Sequence, residues 1–592
     1  MYRAPIRELR FVLDELLGVS ALSSYPGLAD YSPETAEAIL GEAARFAEEV
    51  LEPLNQSGDR EGARWTPDGV VTPQGFAAAY GQFVEGGWPQ LGADPKYGGQ
   101  LAPQVLGVAV RELWGAANLS FKLCPMLTQG AIEALDLCGS TAQKELFLPK
   151  MVSGRWTGTM DLTEPQAGSD LAQIRTRAVP DGEQFRLFGQ KIFITWGDHD
   201  CAENIIHMVL ARIEGAPSGV KGMSLFIVPK ILVNADGTLG ARNEVRCLSI
   251  EHKLGIHASP TCMLAFGDVH GAVGYLIGTA NRGLEYMFVM MNAARLSVGV
   301  EGYAVAERAF QRAAEWARSR VQGKPPAAPA GAPGTIVYHP DVKRMLLTMK
   351  SGVQAMRALG LYAAFELDIA EHDPQPERRL HAQARVDLLI PIVKGWCTEL
   401  GNELAATGVQ IHGGMGFIEE TGAAQYVRDL RITTIYEGTT GIQANDLIGR
   451  KLGRDRGAAM GALILEMRTE LEALEGADAL MRTIKHATTE AVERLREATD
   501  AILEAFSAGQ ERALAIAVPY LNLCGFVTGG WLLAKSAALA AARRDGAERD
   551  FYEAKLATAR FYAQQVLPRA LALARIVQAG AASVTETDAA LI

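Results

Sequence analysis

R-D-L-R-I-T-T-I-Y-E-G-T-T-G-I-Q-A-N, residues 428–445, sets one acid, Glu437, between an aromatic ring and a glycine. β-Branched and apolar residues precede it, and the charges nearest in sequence are Arg428, Asp429, Arg431 and Asp446. A carboxylate in apolar surroundings is costly to ionise, so its pKa rises. That suits it to accept a proton as a general base. Gly438 lets a flat ligand approach the backbone closely. The competing reading makes Glu437 a turn acid capping a helix that begins near Thr439. The local sequence leaves both open.

On either side of this stretch the pattern is helical. Residues 283–320 form one long amphipathic repeat, and 339–368, 376–408 and 424–429 continue it. The run G-K-P-P-A-A-P-A-G-A-P-G (323–334) reads as a loop or linker. V-Q-I-H-G-G-M-G-F (409–417) places Gly413 and Gly414 after a helix, either for close approach to a phosphate chain or as a helix cap and turn. Beyond Gly453 the chain is Ala/Leu/Glu/Arg-rich helix without a motif. Residues 513–534 carry no charge and are long enough to cross a bilayer. They also hold Pro519, Asn522, Gly525, Gly529 and Gly530, so a buried helix is the reading, with peripheral membrane contact left open.

Further upstream the period changes. Between 157 and 268 short β-rich runs (184–188, 191–195, 205–211, 223–229, 261–266) alternate with turn signals, as in a small sandwich or barrel. Its opening loop, M-D-L-T-E-P-Q-A-G-S-D (160–170), offers the hydroxyls of Thr163 and Ser169 and a close turn at Gly168; such a loop can hold phosphate or a planar heterocycle, or be an ordinary turn. In K-I-F-I-T-W-G (191–197) the alternation puts Phe193 and Thr195 on one strand face. The first 155 residues are mostly α: a helix at 6–17, one starting at Ser32-Pro33 and ended by Pro53, one from Thr72-Pro73 to Val84, a loop at 95–100, then helices through 104–150.

Composition narrows the class. The 592 residues are too many for one core, so three or four domains are expected. Apolar residues make up 48% and charged residues 21%, a soluble globular balance, and the net charge of -11 gives no electrostatic case for nucleic acid. Seven scattered cysteines without a C-x-x-C pair argue for a reducing compartment and against a zinc site or disulfide framework, so no metal is expected. The N-terminus carries charges throughout and has no apolar core like that of a signal peptide, so a cytoplasmic location is expected.

Taken in order, T-E-P-x-A-G-S-D, K-x-F-I-T, A-R-L-S-V-G-V-E-G, Q-I-H-G-G-x-G-F and I-Y-E-G-T-x-x-I-Q, with Y-G-G-Q at 97–100, resemble the acyl-CoA dehydrogenase family over roughly residues 35–450. The resemblance implies a mainly α fold with a middle β domain. Its parts are an N-terminal helical domain (1–158), a β barrel or sandwich (159–279), a four-helix bundle (280–455) and an appended helical domain (456–592). It implies FAD lying between the β domain and the second helical domain, and a homodimer or dimer of dimers in which FAD reaches the neighbouring subunit. Electrons are expected to pass to an electron-transferring flavoprotein.

By the same resemblance, Glu437 matches the base that removes the α-proton of an acyl thioester. Met160, Leu162, Thr163, Phe193 and Thr195 match the flavin-ring site, with Gly168 in the same loop. Ser169 matches a position near flavin phosphate or the CoA arm. Arg320, Gln410, Gly413 and Gly414 match positions that reach the partner's FAD, and Thr439 matches a contact to its diphosphate. Asn292 and Arg295 match contacts to the CoA arm, and Tyr436 and Gly438 flank the base at the acyl group. Three positions depart from the family: Gln322-Gly323 lacks the usual phenylalanine, Gly441 replaces a glutamine, and His257 replaces an arginine. Members with the base on the long helix carry it at the position of Ala294, which cannot serve.

The reaction implied is α,β-dehydrogenation of an acyl-CoA. The N-terminal extension, Pro-rich insert and C-terminal extension resemble a long bacterial subgroup acting on 3-methylthiopropionyl-CoA or medium- and long-chain fatty acyl-CoAs. An acyl-CoA oxidase is the nearest rival. A nucleic-acid-associated flavoprotein would need a basic appended domain, yet acidic residues outnumber basic ones in 461–592. A non-catalytic scaffold sits poorly with an intact Glu437.

Overall fold

The computed structural model describes every residue except 1, 327, 330, 332 and 475–477. Part of the linker read at 323–334 therefore lies outside the described residues. By its internal contacts the chain divides into two compact units, 45–103 with 117–294, and 1–44 with 104–116 and 295–592. The helical first 155 residues are thus shared between two units.

In the first unit, strands Gln184–Thr195, Ala272–Ile277, Met223–Pro229, Asn204–Ile213 and Arg177–Asp181 pair in sequence around a ring, the last returning to the first. This closure makes a barrel. Trp156–Asp161 extends it in parallel beside Asn204–Ile213. Thr261–Phe266 and Val245–Ile250 extend it from the far half of Gln184–Thr195. The two runs read at 184–188 and 191–195 are therefore one 12-residue strand that changes partners midway. A hairpin, Arg64–Thr66 with Gly69–Val71, precedes the helix Phe76–Glu85, which starts later than Thr72-Pro73 suggests. Nor does Pro53 end its helix. A wide turn at Ala47–Leu51 leads into Glu52–Glu61, where Pro53 occupies the first turn and its missing N–H costs no bond.

The second unit is built on the long helices Gly283–Ser319 (from Arg295 onward), Pro340–His372 and Pro376–His412. Ala517–Arg543 packs against the last two. That helix is long and apolar enough to cross a membrane, but 83% of its most apolar window is buried within the protein. Its glycines explain the packing: a Cβ on Gly525 would lie 2.1 Å from the Trp396 ring, so the two helices approach at a site where only glycine fits. The N-terminal helix joins the same unit through Arg7–Glu548 (2.7 Å) and Lys555–Glu8 (2.9 Å).

Candidate active site

The quoted stretch folds as helix Ala423–Leu430, a turn at Arg431–Thr434, and helix Thr440–Asp446. The cap of that last helix is Thr439, whose side-chain oxygen accepts the Ile442 N–H at 3.3 Å. Glu437 is therefore not the capping residue. It sits in the left-handed region at φ 55°, which is costly for a residue with a side chain and is found where the surroundings over-determine it. The constraint is visible. Gln443 Nε2 donates to the Glu437 carbonyl at 3.0 Å and to the Gly438 carbonyl at 3.3 Å. Lys394 Nζ donates to the Gly438 carbonyl at 2.6 Å. Gly438 itself has φ 89°, and a Cβ there would stand 2.7 Å from Gln443 Nε2. The glycine is thus required by the turn itself.

Burial raises the Glu437 pKa to about 7, against the pull of Arg295 and Lys394 and with the help of Glu301. None of these three lies in the quoted stretch. The charges nearest in sequence are engaged elsewhere: Arg428 pairs with Glu419 at 2.8 Å, and Arg431 donates to Thr434. Burial lowers Lys394 to about 8, with Glu437 and Glu301 opposing. Arg295, which the resemblance matches to a contact with the CoA arm, is buried and donates to Asp446 at 2.9 Å. Tyr436 donates its hydroxyl to Glu301, and Ile435 is 47% exposed. Glu301 and Lys394 had no assigned role; the only sequence signal was a charge inside an apolar helical run, S-V-G-V-E-G and P-I-V-K-G-W.

The other helical-unit residues gather at one place. Trp316 stacks on His412 with ring centroids 5.3 Å apart, which joins the ends of two long helices. Arg320, Gln410, Gly413 and Gly414 are all exposed there. Ideal Cβ atoms on Gly413 and Gly414 would meet nothing within 4 Å, so this backbone is open to a ligand. Gly441 has room for a side chain, its Cβ position meeting Thr439 Oγ1 at 3.7 Å.

In the barrel unit, Lys191 and Glu164 tie the 160–170 loop to the strand. Their buried ion pair measures 2.8 Å, and Lys191 Nζ also donates to the Leu162 carbonyl at 2.9 Å. The Glu164 carboxylate further accepts from Arg175 N, Thr176 N, Thr176 Oγ1 and Gln166 Nε2. Burial opposes its ionisation, but Lys191 and these donors hold it down to about 2. The Thr163 carbonyl accepts the Ile192 N–H at 2.9 Å, which brings the loop beside the strand. Met160 and Thr163 are half-buried, Leu162 is buried, and Gly168 and Ser169 are exposed. Phe193 has φ 61° and lies in a bulge, where Ile192 and Phe193 face the single residue Met263. It is 58% exposed; Thr195 is half-buried and paired with Thr261. Asn292 is exposed and Ala294 buried. His257 pairs with Asp59 at 3.0 Å, which gives it a structural role.

Comparison with known proteins agrees with this layout. Residues 33–155, 159–269 and 281–452 match the acyl-CoA dehydrogenase N-terminal, middle and C-terminal domains, and 463–588 matches the domain described as acetyl-CoA dehydrogenase C-terminal like. The 3-methylmercaptopropionyl-CoA dehydrogenase of Ruegeria pomeroyi is 48% identical over 96% of each chain. The broad-specificity linear acyl-CoA dehydrogenase FadE5 of Mycobacterium tuberculosis is 35% identical over 100% of this chain and 99% of its own. In fold, the chain is similar to an acyl-CoA dehydrogenase complexed with FAD from Bacillus anthracis, with a TM-score of 0.74 and 21% identity over 98% of this chain and 92% of that one. The chain belongs to the acyl-CoA dehydrogenase family.

Proposed function

We propose that this enzyme carries out FAD-dependent α,β-dehydrogenation of an acyl-CoA thioester with Glu437 as the base, and that 3-methylthiopropionyl-CoA is its substrate. The observation that carries the catalytic part is the Glu437 turn. A strained backbone, pinned by Lys394 and Gln443, presents a carboxyl group whose pKa of about 7 matches the work of a base at neutral pH. The substrate rests on the Ruegeria pomeroyi relative, similar over 96% of each chain. The Mycobacterium tuberculosis relative supports medium- or long-chain acyl-CoA as the second reading.

The residues present fit a flavin. The exposed Phe193 ring, half-buried Thr163 and Thr195, and the open turn at Gly168-Ser169 offer an aromatic face, hydroxyls and N–H groups. Met160 and Leu162 add apolar surface. In the helical unit, Arg320, Gln410, Gly413 and Gly414 would hold phosphate or adenine. Thr439 accepts an N–H as helix cap and keeps its hydroxyl proton to donate to diphosphate. FAD, when bound, supplies the acceptor for the β-hydrogen as hydride.

Glu437 takes the α-proton onto its carboxylate. The charge that develops on the thioester oxygen needs a donor held in place beforehand, and the Glu437 N–H is rigidly oriented by the pinned turn. Tyr436 and Gly438 line the acyl group, and Ser169 and Asn292 are exposed and able to meet the CoA arm. Arg295 serves this function by holding charge beside Glu437. An electron-transferring flavoprotein as acceptor, a homodimer, a cytoplasmic location and four domains bounded near 158, 279 and 455 complete the reading.

The test is Glu437→Gln. The variant is expected to stay yellow with bound FAD and to lose turnover by at least ~10³-fold; ordinary turnover would sink the assignment. A panel of acyl-CoAs with a dye acceptor reads the substrate. The highest kcat/KM is expected with the 3-methylthiopropionyl thioester, and a preference for long chains would replace it.

A further inference from the structure

Two acids in the helical unit share a cation. Lys394, on Pro376–His412, lies within electrostatic range of both Glu437 and Glu301. Arg295 also faces Glu437, but it is bonded to Asp446, which Arg450 contacts as well at 2.5 Å. Glu301 is completely buried on the long helix, two turns beyond Ala294 and therefore on the same helix face. Its carboxylate accepts the hydroxyl of Tyr436, the residue next to the base.

We propose that Glu301 is a positioning residue for the reaction: through Tyr436 it fixes the turn that carries Glu437, and with Lys394 it sets the charge around that base. The inference rests on Glu437 being the base. The charged and titratable groups around Glu437 are Arg295 and Glu301 on the long helix, Lys394 and Glu399 on Pro376–His412, Asp429 and Tyr436 in its own segment, and Asp446 with Arg450 beyond it. Asp446 is matched by Arg295 and Arg450, and Glu399 accepts the Thr440 hydroxyl at 2.5 Å. Lys394 then faces Glu301 and Glu437 together. One buried cation cannot favour two carboxylates fully, so Glu301 keeps the proton on Glu437 to higher pH, while Lys394 draws it off. Lys394 has a second hold on the same turn through the Gly438 carbonyl, so orientation and charge are set by the same pair.

The two residues act with opposite sign, which a purely structural role would not produce. On the FAD-loaded enzyme, the acid limb of the kcat/KM–pH profile is expected to move down by about 0.5–1 unit in Glu301→Gln and up by about the same in Lys394→Met, while Lys394→Arg stays near the parent. An unmoved limb in both variants, or movement in the same direction, overturns the proposal. If Glu301→Gln does not load FAD, thermal unfolding of the cofactor-free protein against pH replaces the kinetic reading. Stability lost through Glu437 as pH rises from 4.5 through 7 is then expected to be smaller in Glu301→Gln than in the parent, with Glu437→Gln and the double variant as references; an equal loss counts against it. Ordinary turnover by Glu437→Gln removes the base reading and this inference with it. A dead Glu437→Gln beside an unmoved limb in Glu301→Gln removes this inference alone.

Discussion

Glu164, buried, and Glu437, half-buried, are acids in short motifs, and each has a lysine nearby, yet one is held at about 2 and the other at about 7. The difference lies in where the donors point. Around Glu164 five donors reach the carboxylate: Lys191, two backbone N–H groups, a threonine hydroxyl and a glutamine amide. Around Glu437 the lysine and the glutamine bond to the carbonyls of residues 438 and 437 instead. Hydrogen bonds to the charged form stabilise it, and burial without them raises the pKa. The same residue types therefore make a structural pin in one unit and a carboxyl group of raised pKa in the other. In the second case these donors fix the backbone rather than the carboxyl group.

The largest expected effect comes from breaking the pin. Lys191→Met strands a buried carboxylate among its remaining donors, and loss of one partner of a buried pair costs about 3–5 kcal/mol. Chemical denaturation read by barrel-unit tryptophan fluorescence is expected to show that loss. A change under 1 kcal/mol would show that the N–H donors alone carry Glu164.

Glu437 is expected to show the reverse dependence on pH. Its folded pKa is raised from 4.5 to about 7, so its contribution to stability is full below pH 4.5 and is lost as pH rises through 7. Glu437→Gln removes this loss. The variant is therefore expected to gain on the parent between pH 4.5 and 8, by up to about 3 kcal/mol from the shift. Partial exposure of the side chain brings this nearer to ~2 kcal/mol. Thermal unfolding of the two cofactor-free proteins across that range checks it, and parallel curves would mean an unshifted carboxyl group.

The comparison also marks what the sequence could convey. A middle β domain, read as sandwich or barrel, the long helices and a glycine-marked end to the helix before residue 413 follow from local period and composition, and the structure has each of them. The charge around Glu437 was not legible. Its neighbours Arg295, Glu301 and Lys394 come from helices distant in the chain, while Arg428 and Arg431, close in sequence, are engaged elsewhere. Phe193 shows a second limit. Alternation treats a strand as unbroken, but the bulge opposite Met263 turns the ring out through a positive φ. Likewise nothing in the local pattern of residues 6–16 signals that Arg7 and Glu8 bind Glu548 and Lys555. A helix face shows that it needs a partner without showing which one.

The smallest effect sharpens the contrast most. Thr439→Ala removes the helix cap and leaves the Ile442 N–H without its bond, at a cost of about 1 kcal/mol. That N–H bonds to a side chain other than Glu437, so the acid limb of the kcat/KM–pH profile is expected to stay in place while denaturation shows the lost stability. A limb that moves down instead would mean that the freed N–H turns to the Glu437 carboxylate. The high pKa would then depend on Thr439 occupying this donor, just as the low pKa of Glu164 depends on donors reaching its carboxylate.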